Sequence, residues 1–486
     1  MPPKNPVKLT VSDFIYHHEV IAELESLKQT FDPAASGGRP LIVSDVLDAD
    51  GHQYVNLVQK GGGVFGIALV GYTYILEEMG IRFLRLAGTS AGAINTALIT
   101  VIKNKSDKKS AEVLQAICDL DFFSLVDGHP AARTLIKNFI TRKNYIDKAK
   151  NKLLVVLAAF ALLIVGDVVL VGLSNKYPAL YVWTGICFIL SGFLSLVIGI
   201  GVSYLIDLFK RLKNSGYGIN PGDVFYDWIK RLLLENQVAT VSDLNRKAAI
   251  CPALQLRVPN QSGLEELKGD VTFIASELVT QNKIQFPAMC SLFRTDVDTL
   301  SPAGFIRASM SIPLFFESYM INDIPANDIR IKDAWKKFFG ITQPPSTARF
   351  VDGGILSNFP ISIFFNPNVT VPRLPSFGID LDDSKPADKQ ENAFSWSLTG
   401  YFGRMFNTIR NYYDKDFLLK NEVYQRGVGK VDLSSDQYNW LNFFLSDKDK
   451  IDMFVLGAKA ACEFLRNFDW ETYKNDRTDL QIQLKK

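Results

Sequence analysis

One stretch, Tyr54–Thr100, constrains the fold more than any other, because short apolar runs alternate there with glycine turns. Tyr54–Gln59 is a short apolar run that predicts a strand, and it ends at three successive glycines. Ile67–Met79 carries apolar residues at helical spacing, and Phe83–Ala87 is again short and apolar. The stretch therefore predicts a strand, a glycine loop, a helix, a second strand, a sharp turn and a second helix.

The sharp turn, Gly88-Thr89-Ser90-Ala91-Gly92, has the G-x-S-x-G pattern of an exposed serine nucleophile. Its glycines permit a turn too tight for side chains, and the next helix directs backbone N–H groups toward the reacting centre. Taken alone, the pentapeptide also fits a small-residue turn without function. The upstream run Gly61–Gly63 favours the functional interpretation, because successive glycines let N–H groups approach an oxyanion closely. A phosphate-binding nucleotide loop is the alternative, but the G-x-x-x-x-G-K-[ST] pattern and its lysine are missing.

Four motifs together resemble a known family, and they occur in its order: Gly61-Gly62-Gly63-Val64-Phe65-Gly66, Gly88-Thr89-Ser90-Ala91-Gly92, Ala308-Ser309-Met310-Ser311-Ile312-Pro313 and Asp352-Gly353-Gly354. From about Tyr54 to Asp383, with one interruption, the chain resembles the patatin-like phospholipases. The resemblance implies an α/β fold, namely a three-layer α/β/α sandwich with a mainly parallel central sheet. It also implies a lipid acyl hydrolase that uses a Ser–Asp dyad.

The same resemblance assigns roles to individual residues. Ser90 would be the nucleophile, Asp352 its partner, and Gly61–Gly63 the donors of the oxyanion hole. The third motif would form a wall of the site. Five further glycines would support the motif loops: Gly66, Gly88, Gly92, Gly353 and Gly354. One position departs from the family, because Phe65 stands where its members usually carry Arg or Lys.

The distribution of histidines supports a dyad independently of the resemblance. A serine nucleophile usually transfers its proton to histidine. The chain has four histidines (His17, His18, His52 and His129), and none lies in residues 130–486. The α/β-hydrolase triad, whose histidine follows the acid, is therefore excluded. With Asp352 as the base, Ser90 would attack an ester carbonyl and form an acyl-serine, which water activated by Asp352 would hydrolyse. This chemistry requires no metal or organic cofactor.

Charge and cysteine content exclude several other classes of protein. The formal net charge is +2 (53 Lys+Arg against 51 Asp+Glu), so the overall charge does not favour binding to nucleic acid. Five cysteines lie far apart without a C-x-x-C pair, which argues against a disulfide framework or a zinc site. Asp48-Ala49-Asp50-Gly51 lacks the remaining ligands of a calcium loop and predicts a turn. Residues 1–14 contain no apolar core, so no secretory signal is expected.

Two long apolar segments interrupt the resemblance. Leu153–Leu173 contains one charge, Asp167, and Tyr177–Ile206 contains none. Both are long enough to cross a ~30 Å hydrocarbon core. The turn that connects the two segments carries only one basic residue, Lys176. The outer ends of the pair are flanked by eight basic residues: Arg142, Lys143, Lys148, Lys150, Lys152, Lys210, Arg211 and Lys213. The positive-inside rule then predicts a transmembrane hairpin with the catalytic domain on the cytoplasmic side. The alternative is an apolar helical lid over the active site, and Asp167 favours it because a mid-helix acid is costly in a membrane.

The expected organisation has five parts. An N-terminal helical extension covers 1–53, and the first part of the catalytic domain covers 54–150. The transmembrane hairpin covers 151–210, and the second part of the catalytic domain covers 211–385. A C-terminal helical region covers 386–486.

The leading hypothesis is a membrane-anchored serine lipid acyl hydrolase of the phospholipase A or lysophospholipase type. Its expected partners are a lipid ester and the bilayer. One alternative is a catalytically weak membrane-bound lipid-binding or scaffold protein, with Phe65 as its first sign. Another is an acyltransferase or thioesterase that uses the same acyl-serine.

Overall fold

The computed structural model describes residues 9–130, 133, 145–214, 216–257, 267–366, 368–369, 371–383, 405, 408, 412, 414–435 and 438–484. Two basic residues of the predicted hairpin flank, Arg142 and Lys143, lie outside the described residues, as does most of 386–413. Contacts divide the chain into two compact units, Gly128–Pro221 and the remainder. The smaller unit contains the predicted hairpin of 151–210 and extends it at both ends. The five-part division itself stays a prediction.

The larger unit contains most of the regular structure. Its helices are α1 (Val11–Ile15), α2 (His18–Thr30), α3 (Gly66–Glu78), α4 (Ala91–Val101), α5 (Ser110–Cys118), α8 (Asp223–Glu235), α9 (Val241–Ala249), α10 (Ala303–Ser309), α11 (Ile329–Phe339), α12 (Glu422–Arg426), α13 (Asp447–Asn467) and α14 (Trp470–Leu484). Its strands are β1 (Val46–Leu47), β2 (Gln53–Gln59), β3 (Ile81–Thr89), β5 (Gln255–Leu256), β6 (Asp270–Glu277), β7 (Asn282–Phe286), β8 (Leu314–Phe316), β9 (Tyr319–Ile321), β10 (Ala348–Asp352), β11 (Ser376–Asp382) and β12 (Val428–Asp432). The smaller unit holds α6 (Tyr145–Ser174), α7 (Tyr181–Asn214) and β4 (Gly218–Asn220).

One mixed sheet organises the larger unit, with the strand order β12-β11-β2-β3-β6-β10-β9. The first five strands run parallel to one another, whereas β10 and β9 continue the sheet in antiparallel pairings. Short antiparallel strands are added by β1 on β2 and by β7 on β6. The α/β fold is confirmed, and the parallel strands that were predicted form the centre of the sheet.

Both faces of the sheet are covered. On one face, Gln59 bonds to side chains of α4, and Phe377 packs against Phe464 of α13. On the other face, Val58 and Ala87 pack against Phe359, Ile361 and Tyr424. This double burial explains why β2 is a continuous run of buried residues, as in the parallel strands of other α/β proteins. The result is the three-layer arrangement.

Several local predictions are confirmed within a residue or two, and two are wrong. The spacing of Val11–Phe31 predicts one helix that Ser12 could cap, but the structure divides it at Tyr16 and His17, and its N-cap is Thr10, in a capping box with Asp13. The polar composition of Asn475–Lys486 predicts a tail, but this segment continues α14 as far as Leu484. Few residues of α14 are apolar, but they hold the helix against the rest of the unit: Trp470 and Tyr473 are buried, and the Arg477 guanidinium lies over aromatic rings.

The smaller unit is built on the two apolar helices α6 and α7. In the most apolar window of each helix only 6 % of residues are buried, so these are not core helices of this unit. Asp167 is an exception, because its side chain is buried and Ser191 Oγ–H donates to Asp167 Oδ2 at 2.5 Å. The described part of the chain thus holds two helices long and apolar enough to cross a membrane.

Candidate active site

Ser90 occupies a strained turn between β3 and α4. Its backbone has φ 54° and ψ −121°, which is rare for a residue other than glycine. Such a conformation costs about 1–3 kcal/mol and persists only when the surroundings enforce it. Here a Cβ on Gly88 would lie 2.3 Å from Gly92 O, so the strand and the helix approach too closely for any side chain. This is the geometry of a nucleophile elbow, in which the serine side chain projects from the end of a strand.

The glycine loop after β2 lies against the elbow. A Cβ on Gly61 would lie 3.0 Å from Ser90 Cβ, and one on Gly66 would lie 3.2 Å from Ala91 Cβ. Gly63 has φ 56°, and a Cβ there would lie 2.2 Å from Trp440 O. The loop is therefore held between the start of α4 and the segment around Trp440, with no room for side chains on its inner side.

The backbone amides of this loop differ in what they bind. Gly61 N–H donates to Asn358 O at 2.9 Å, and Val64 N–H donates to Trp440 O at 3.1 Å. Between them, the amides of Gly62 and Gly63 donate to no residue among those described. The predicted oxyanion role of all three glycines stays a prediction. However, the Gly61 amide is already engaged, so Gly62 and Gly63 are the better candidates.

Asp352 lies at the same level of the sheet as the elbow. Thr89 is opposite Ile274 of β6, and Asp352 is opposite Ala275 of the same strand. Because β7 occupies the opposite edge of β6, the end of β3 before Ser90 and the end of β10 at Asp352 meet on one edge of β6 at adjacent registers, and a Cβ on Gly353 would lie 3.0 Å from Thr89 Cγ2. Asp352 is 6 % exposed, and its Oδ1 accepts the Gly354 N–H at 2.7 Å.

The motif 308–313 connects Ser90 to Asp352. Ser90 N–H donates to Ser309 Oγ at 3.0 Å. Two residues further on, Ser311 O accepts the Asp352 N–H at 2.8 Å. Both partners of the predicted dyad are therefore hydrogen-bonded to one short segment. The sequence marked this segment as a wall of the site, but nothing in it revealed that the Ser309 hydroxyl would bind the nucleophile's amide.

Arg307 holds this segment in place. Its Nη1 donates to Ser311 Oγ at 2.6 Å and its Nη2 donates to Glu317 O at 2.9 Å, while the guanidinium lies over the Phe316 ring. Burial lowers the pKa of Arg307 to about 10, so the side chain remains a cation at neutral pH. A cation bound on several sides leaves little freedom for the segment between Ser309 and Ser311.

A second network fixes the glycine loop from the other side. The backbone carbonyl of Asn358 accepts the Gly61 N–H, and the side-chain Nδ2 of Asn358 donates to Gly61 O at 3.2 Å. The flanking residues are held by Asp414, which accepts from Ser357 Oγ–H and from Phe359 N–H, both at 2.8 Å. Burial raises the pKa of Asp414 to about 6. Sequence reasoning missed Asn358 and Asp414, because their partners lie 297 and about 55 residues away along the chain.

The Ser90 hydroxyl itself forms no hydrogen bond with any residue that the structure describes. Catalytic hydrogen bonds are often long or poorly aligned before substrate binds, and they tighten in the complex. The Ser90–Asp352 dyad therefore stays a prediction, supported by the shared register and by the segment that binds both residues.

An apolar cavity of about 40 Å³ borders the elbow. It extends from the glycine loop and the start of α4 toward α5 and α8, and its bulkiest lining residues are Phe122, Phe225, Trp228, Met310 and Phe443. This volume is close to the ~30 Å³ that one water molecule occupies in the liquid. A fatty-acyl chain would thus enter only if some of the side chains that line the cavity moved.

Other candidate sites have ordinary structural roles. Asp48, Asp50 and His52 lie close enough to hold a cation, but Asp48 already accepts the N–H groups of Asp50 and His52 and the hydroxyl of Tyr54. The prediction of a turn is confirmed there. The five cysteines are all free, which agrees with the expectation of unpaired thiols.

The chain matches the family described as patatin-like phospholipase over residues 57–365, well over half of its 486 residues. It belongs to the patatin-like phospholipase family. Membership supports lipid acyl hydrolase activity in general, as the motifs predict. The matched region ends at residue 365, so Asp414 and Trp440 lie beyond it.

Individual relatives are distant. The uncharacterized protein YqhO of Bacillus subtilis (strain 168) is 25 % identical over 420 residues, which is 86 % of this chain and 100 % of that protein. VipD from Legionella pneumophila aligns at 14 % identity and a TM-score of 0.35, over 89 % of this chain and 72 % of that chain. The ExoU–SpcU complex of the Pseudomonas aeruginosa type III secretion system aligns at 14 % identity and a TM-score of 0.28, over 87 % and 52 %. Neither solved structure bears on the positions of individual side chains here.

Proposed function

We propose that this patatin-like protein is a membrane-anchored serine hydrolase of fatty-acyl esters, of the phospholipase A or lysophospholipase type, with Ser90 as nucleophile and Asp352 as base. The observation that carries the proposal is the strained backbone of Ser90 at the end of β3, bound through Ser309 to the segment that also binds Asp352. Strain of this kind at a buried polar residue is a feature of functional sites.

In the proposed reaction, Ser90 Oγ attacks the ester carbonyl carbon while its proton passes to the Asp352 carboxylate. The carbonyl oxygen becomes an oxyanion that the amides of Gly62 and Gly63 stabilise, each strong donor contributing about 3–4 kcal/mol. Collapse of this intermediate breaks the ester bond, and the departing alcohol takes the proton from Asp352. Water then loses a proton to Asp352 and attacks the acyl-serine; the bond to Ser90 Oγ breaks, Asp352 returns the proton to that oxygen, and the fatty acid is released.

The aspartate is a weak base, since its ordinary pKa is about 3.9. Positioning must therefore supply much of the rate, and well-oriented reacting groups can lower a barrier by about 7–11 kcal/mol. The hydrogen bonds of Ser309 and Ser311 support such positioning, because they set the backbone at both partners. No histidine is needed in this scheme.

The apolar helices supply the second part of the proposal. Their exposed surfaces are suited to lipid, and the Asp167–Ser191 hydrogen bond lowers the cost of placing an acid between them. With basic residues such as Lys150 and Lys210 at the same end of the hairpin, the positive-inside rule puts the catalytic unit on the cytoplasmic side. An enzyme held there would act on lipid esters without extracting them far from the bilayer.

The test of the chemistry is fatty-acid release from a panel of phospholipids and glycerides in detergent micelles. Ser90→Ala and Asp352→Asn should each abolish release, while Asp48→Asn, in the turn before β2, serves as a matched control for removing one buried carboxylate. Activity that survives in Ser90→Ala would contradict the proposal. Inert wild-type protein would favour the scaffold alternative, and acyl transfer to added alcohols or thioester cleavage would favour the acyltransferase or thioesterase.

The test of the anchor is fractionation of the full-length protein. It should remain in the membrane pellet after washing with alkaline carbonate, which removes peripheral proteins. Release into the supernatant would contradict the anchor and would favour the lid alternative for the two helices.

A further inference from the structure

A second cavity, lined by basic side chains, lies at the far end of α4 from Ser90. It has a volume of about 60 Å³, and its cationic lining residues are Arg82, Lys103, Lys105, Lys109 and Lys247. We call these five residues and the cavity they enclose the basic pocket. The rise of 1.5 Å per residue over the 11 residues of α4 separates the pocket from the elbow by about 16 Å. The pocket is thus distinct from the candidate active site.

Two lysines of the basic pocket are buried, which is unusual. Lys105 is 9 % exposed and Lys109 is 4 % exposed. Lys105 Nζ donates to Leu84 O at 2.8 Å, and Lys109 Nζ donates to Ile99 O at 2.6 Å. An ammonium group has three N–H donors, and among the described residues each lysine uses one. Two donors on each buried cation therefore remain available.

Arg82 is fixed in the same pocket. Its Nε donates to Ser106 O and its Nη1 donates to the carbonyls of Glu77 and Ile81. These bonds orient the guanidinium, and its Nη2 donates to no residue that the structure describes. A preorganised arginine beside lysines is a common arrangement for binding phosphate oxygens.

The acids nearby are fewer than the cations. Glu77 and Asp107 are the acidic lining residues, against five cations, of which Lys103 pairs with Glu112 and Lys105 lies near Asp270. Glu77 Oε2 already accepts the N–H groups of Lys109 and Ser110. Burial, together with the charges of Lys105 and Lys247, lowers the pKa of Lys109 to about 7. Cations that repel one another in a buried position gain stability from an anion between them.

Capping of α4 explains only part of this arrangement. A helix C-terminus carries about half a negative charge, which favours one nearby cation. Lys109, bonded to Ile99 O in the last turn of α4, fills that role. Lys105 bonds instead to a strand carbonyl, and Arg82 and Lys247 do not bond to α4. The excess of cations beyond the cap therefore points to a ligand of opposite charge.

We propose that the basic pocket binds a single phosphate group, carried either by a lipid headgroup or by a small soluble phosphate. The cavity volume is about twice the ~30 Å³ that a water molecule occupies in the liquid, which suits one tetrahedral oxyanion. Bound phosphate would accept from Lys105, Lys109 and Arg82, and it would stabilise the far end of the helix that begins at Ser90. This proposal does not depend on the hydrolase activity.

The experiment measures the thermal unfolding temperature of the full-length protein in neutral detergent. One arm adds inorganic phosphate against potassium chloride of equal ionic strength, which removes general screening. The other arm compares detergent micelles that contain phosphatidic acid with micelles that contain the same amount of phosphatidylcholine. A ligand that binds the folded state alone should raise the unfolding temperature saturably, by about 2 °C or more at high occupancy.

Three variants give the measurement its specificity. Lys109→Gln removes a buried cation, and Lys247→Gln removes a half-buried one with less risk to folding. Lys108→Gln is the matched control, because Lys108 is the neighbouring residue, is 53 % exposed and pairs with Glu78 outside the pocket. The stabilisation should be lost in the first two variants and kept in the control.

Each outcome decides the proposal. Stabilisation by inorganic phosphate assigns a soluble phosphate, and stabilisation by phosphatidic acid alone assigns a headgroup. No stabilisation in either arm overturns the proposal, as does a shift of equal size in wild type and Lys247→Gln. If Lys109→Gln does not fold, Lys247→Gln and equilibrium dialysis of labelled phosphate against wild type, with one site per chain expected, keep the test decisive.

Discussion

The close contact between Gly61 and the nucleophile makes Gly61→Ala a sensitive test of the candidate site. The added Cβ would lie 2.5 Å from Asn358 Oδ1, 3.0 Å from Ser90 Cβ and 3.0 Å from Thr89 O. Asn358 cannot simply turn away, because it is buried and its Nδ2 donates to Gly61 O. The glycine loop must therefore shift by an appreciable fraction of an ångström relative to Ser90.

The expected loss follows from what the loop is proposed to do. A displacement of about 1 Å at a reacting centre costs about 10²-fold in rate, and loss of one oxyanion donor costs about 10²–10³-fold. Gly61→Ala should thus lower kcat by about 10²–10³-fold, with a smaller effect on KM, while the protein remains folded. The measurement is steady-state fatty-acid release, with the far-ultraviolet circular dichroism spectrum as the check on folding.

The adjacent Gly62, whose amide is a proposed oxyanion donor, provides a steric comparison, and Gly166→Ala, with nothing within 4 Å of its added Cβ, provides the control. A Cβ on Gly62 would meet the end of the flexible Leu381 side chain at 2.6 Å, and Gly62 has an extended φ of −169° that any residue can adopt. Gly62→Ala should therefore cost less than about tenfold. Removing the crowding atom in the double variant Gly61→Ala/Asn358→Ala should recover part of the lost rate. Wild-type kcat in Gly61→Ala, or equal losses in both single variants, would refute the reasoning.

Three further predictions concern stability and insertion. Burial raises the pKa of Asp414 from 3.8 to about 6, so the folded state favours the neutral carboxyl. The free energy of unfolding should therefore be highest below pH ~4 and should fall by about 3 kcal/mol as the pH rises through 6. Asp414→Asn should remove that loss in urea unfolding between pH 4 and 7, and an unchanged slope would contradict the assignment. Gly457→Ala would place a Cβ 1.9 Å from Ala68 O where α13 crosses α3, so it should destabilise the protein by about 1–3 kcal/mol, whereas Gly166→Ala has open space and should not. Asp167→Leu should increase insertion of α6 in a glycosylation-mapping assay, since an acid costs about 2.5–3.5 kcal/mol at a helix centre, and decreased insertion would be evidence against a membrane span.

The sequence predicted the elements whose signals are local. The unit from β2 to α4 is set by glycines and apolar spacing within fifty residues, and its boundaries in the structure agree with the prediction to within one or two residues. Helix α8 and the capping box at Thr240 were predictable for the same reason. In each case the residues that determine where the element begins and ends lie within the element or next to it in the sequence.

What the sequence did not predict depends on contacts between distant segments. Asn358 follows an aspartate-glycine motif in a loop with no distinctive pattern, and its function arises only when β2 brings Gly61 beside it. Asp414 lies outside the matched family region, yet its carboxylate fixes the backbone on both sides of Asn358. Helix α14 was mistaken for a tail, because only its buried aromatic residues and Arg477 distinguish it from a solvated segment.

A dyad of Ser90 and Asp352, as proposed, would account for the many backbone contacts around the candidate site. In a triad the imidazole spans the gap between nucleophile and carboxylate, so the two backbones need not be held at a fixed separation. The proposed dyad would have no such intermediate, and here the ends of β3 and β10 meet on one edge of β6 and are held by a single segment that bonds to both Ser90 and Asp352. An error in the position of Ser309 or Ser311 would pass directly to the distance between the Ser90 hydroxyl and Asp352. If Ser90 and Asp352 act as the proposed dyad, the burial of Arg307 beside that segment, at a considerable cost in desolvation, would serve the chemistry as well as the fold.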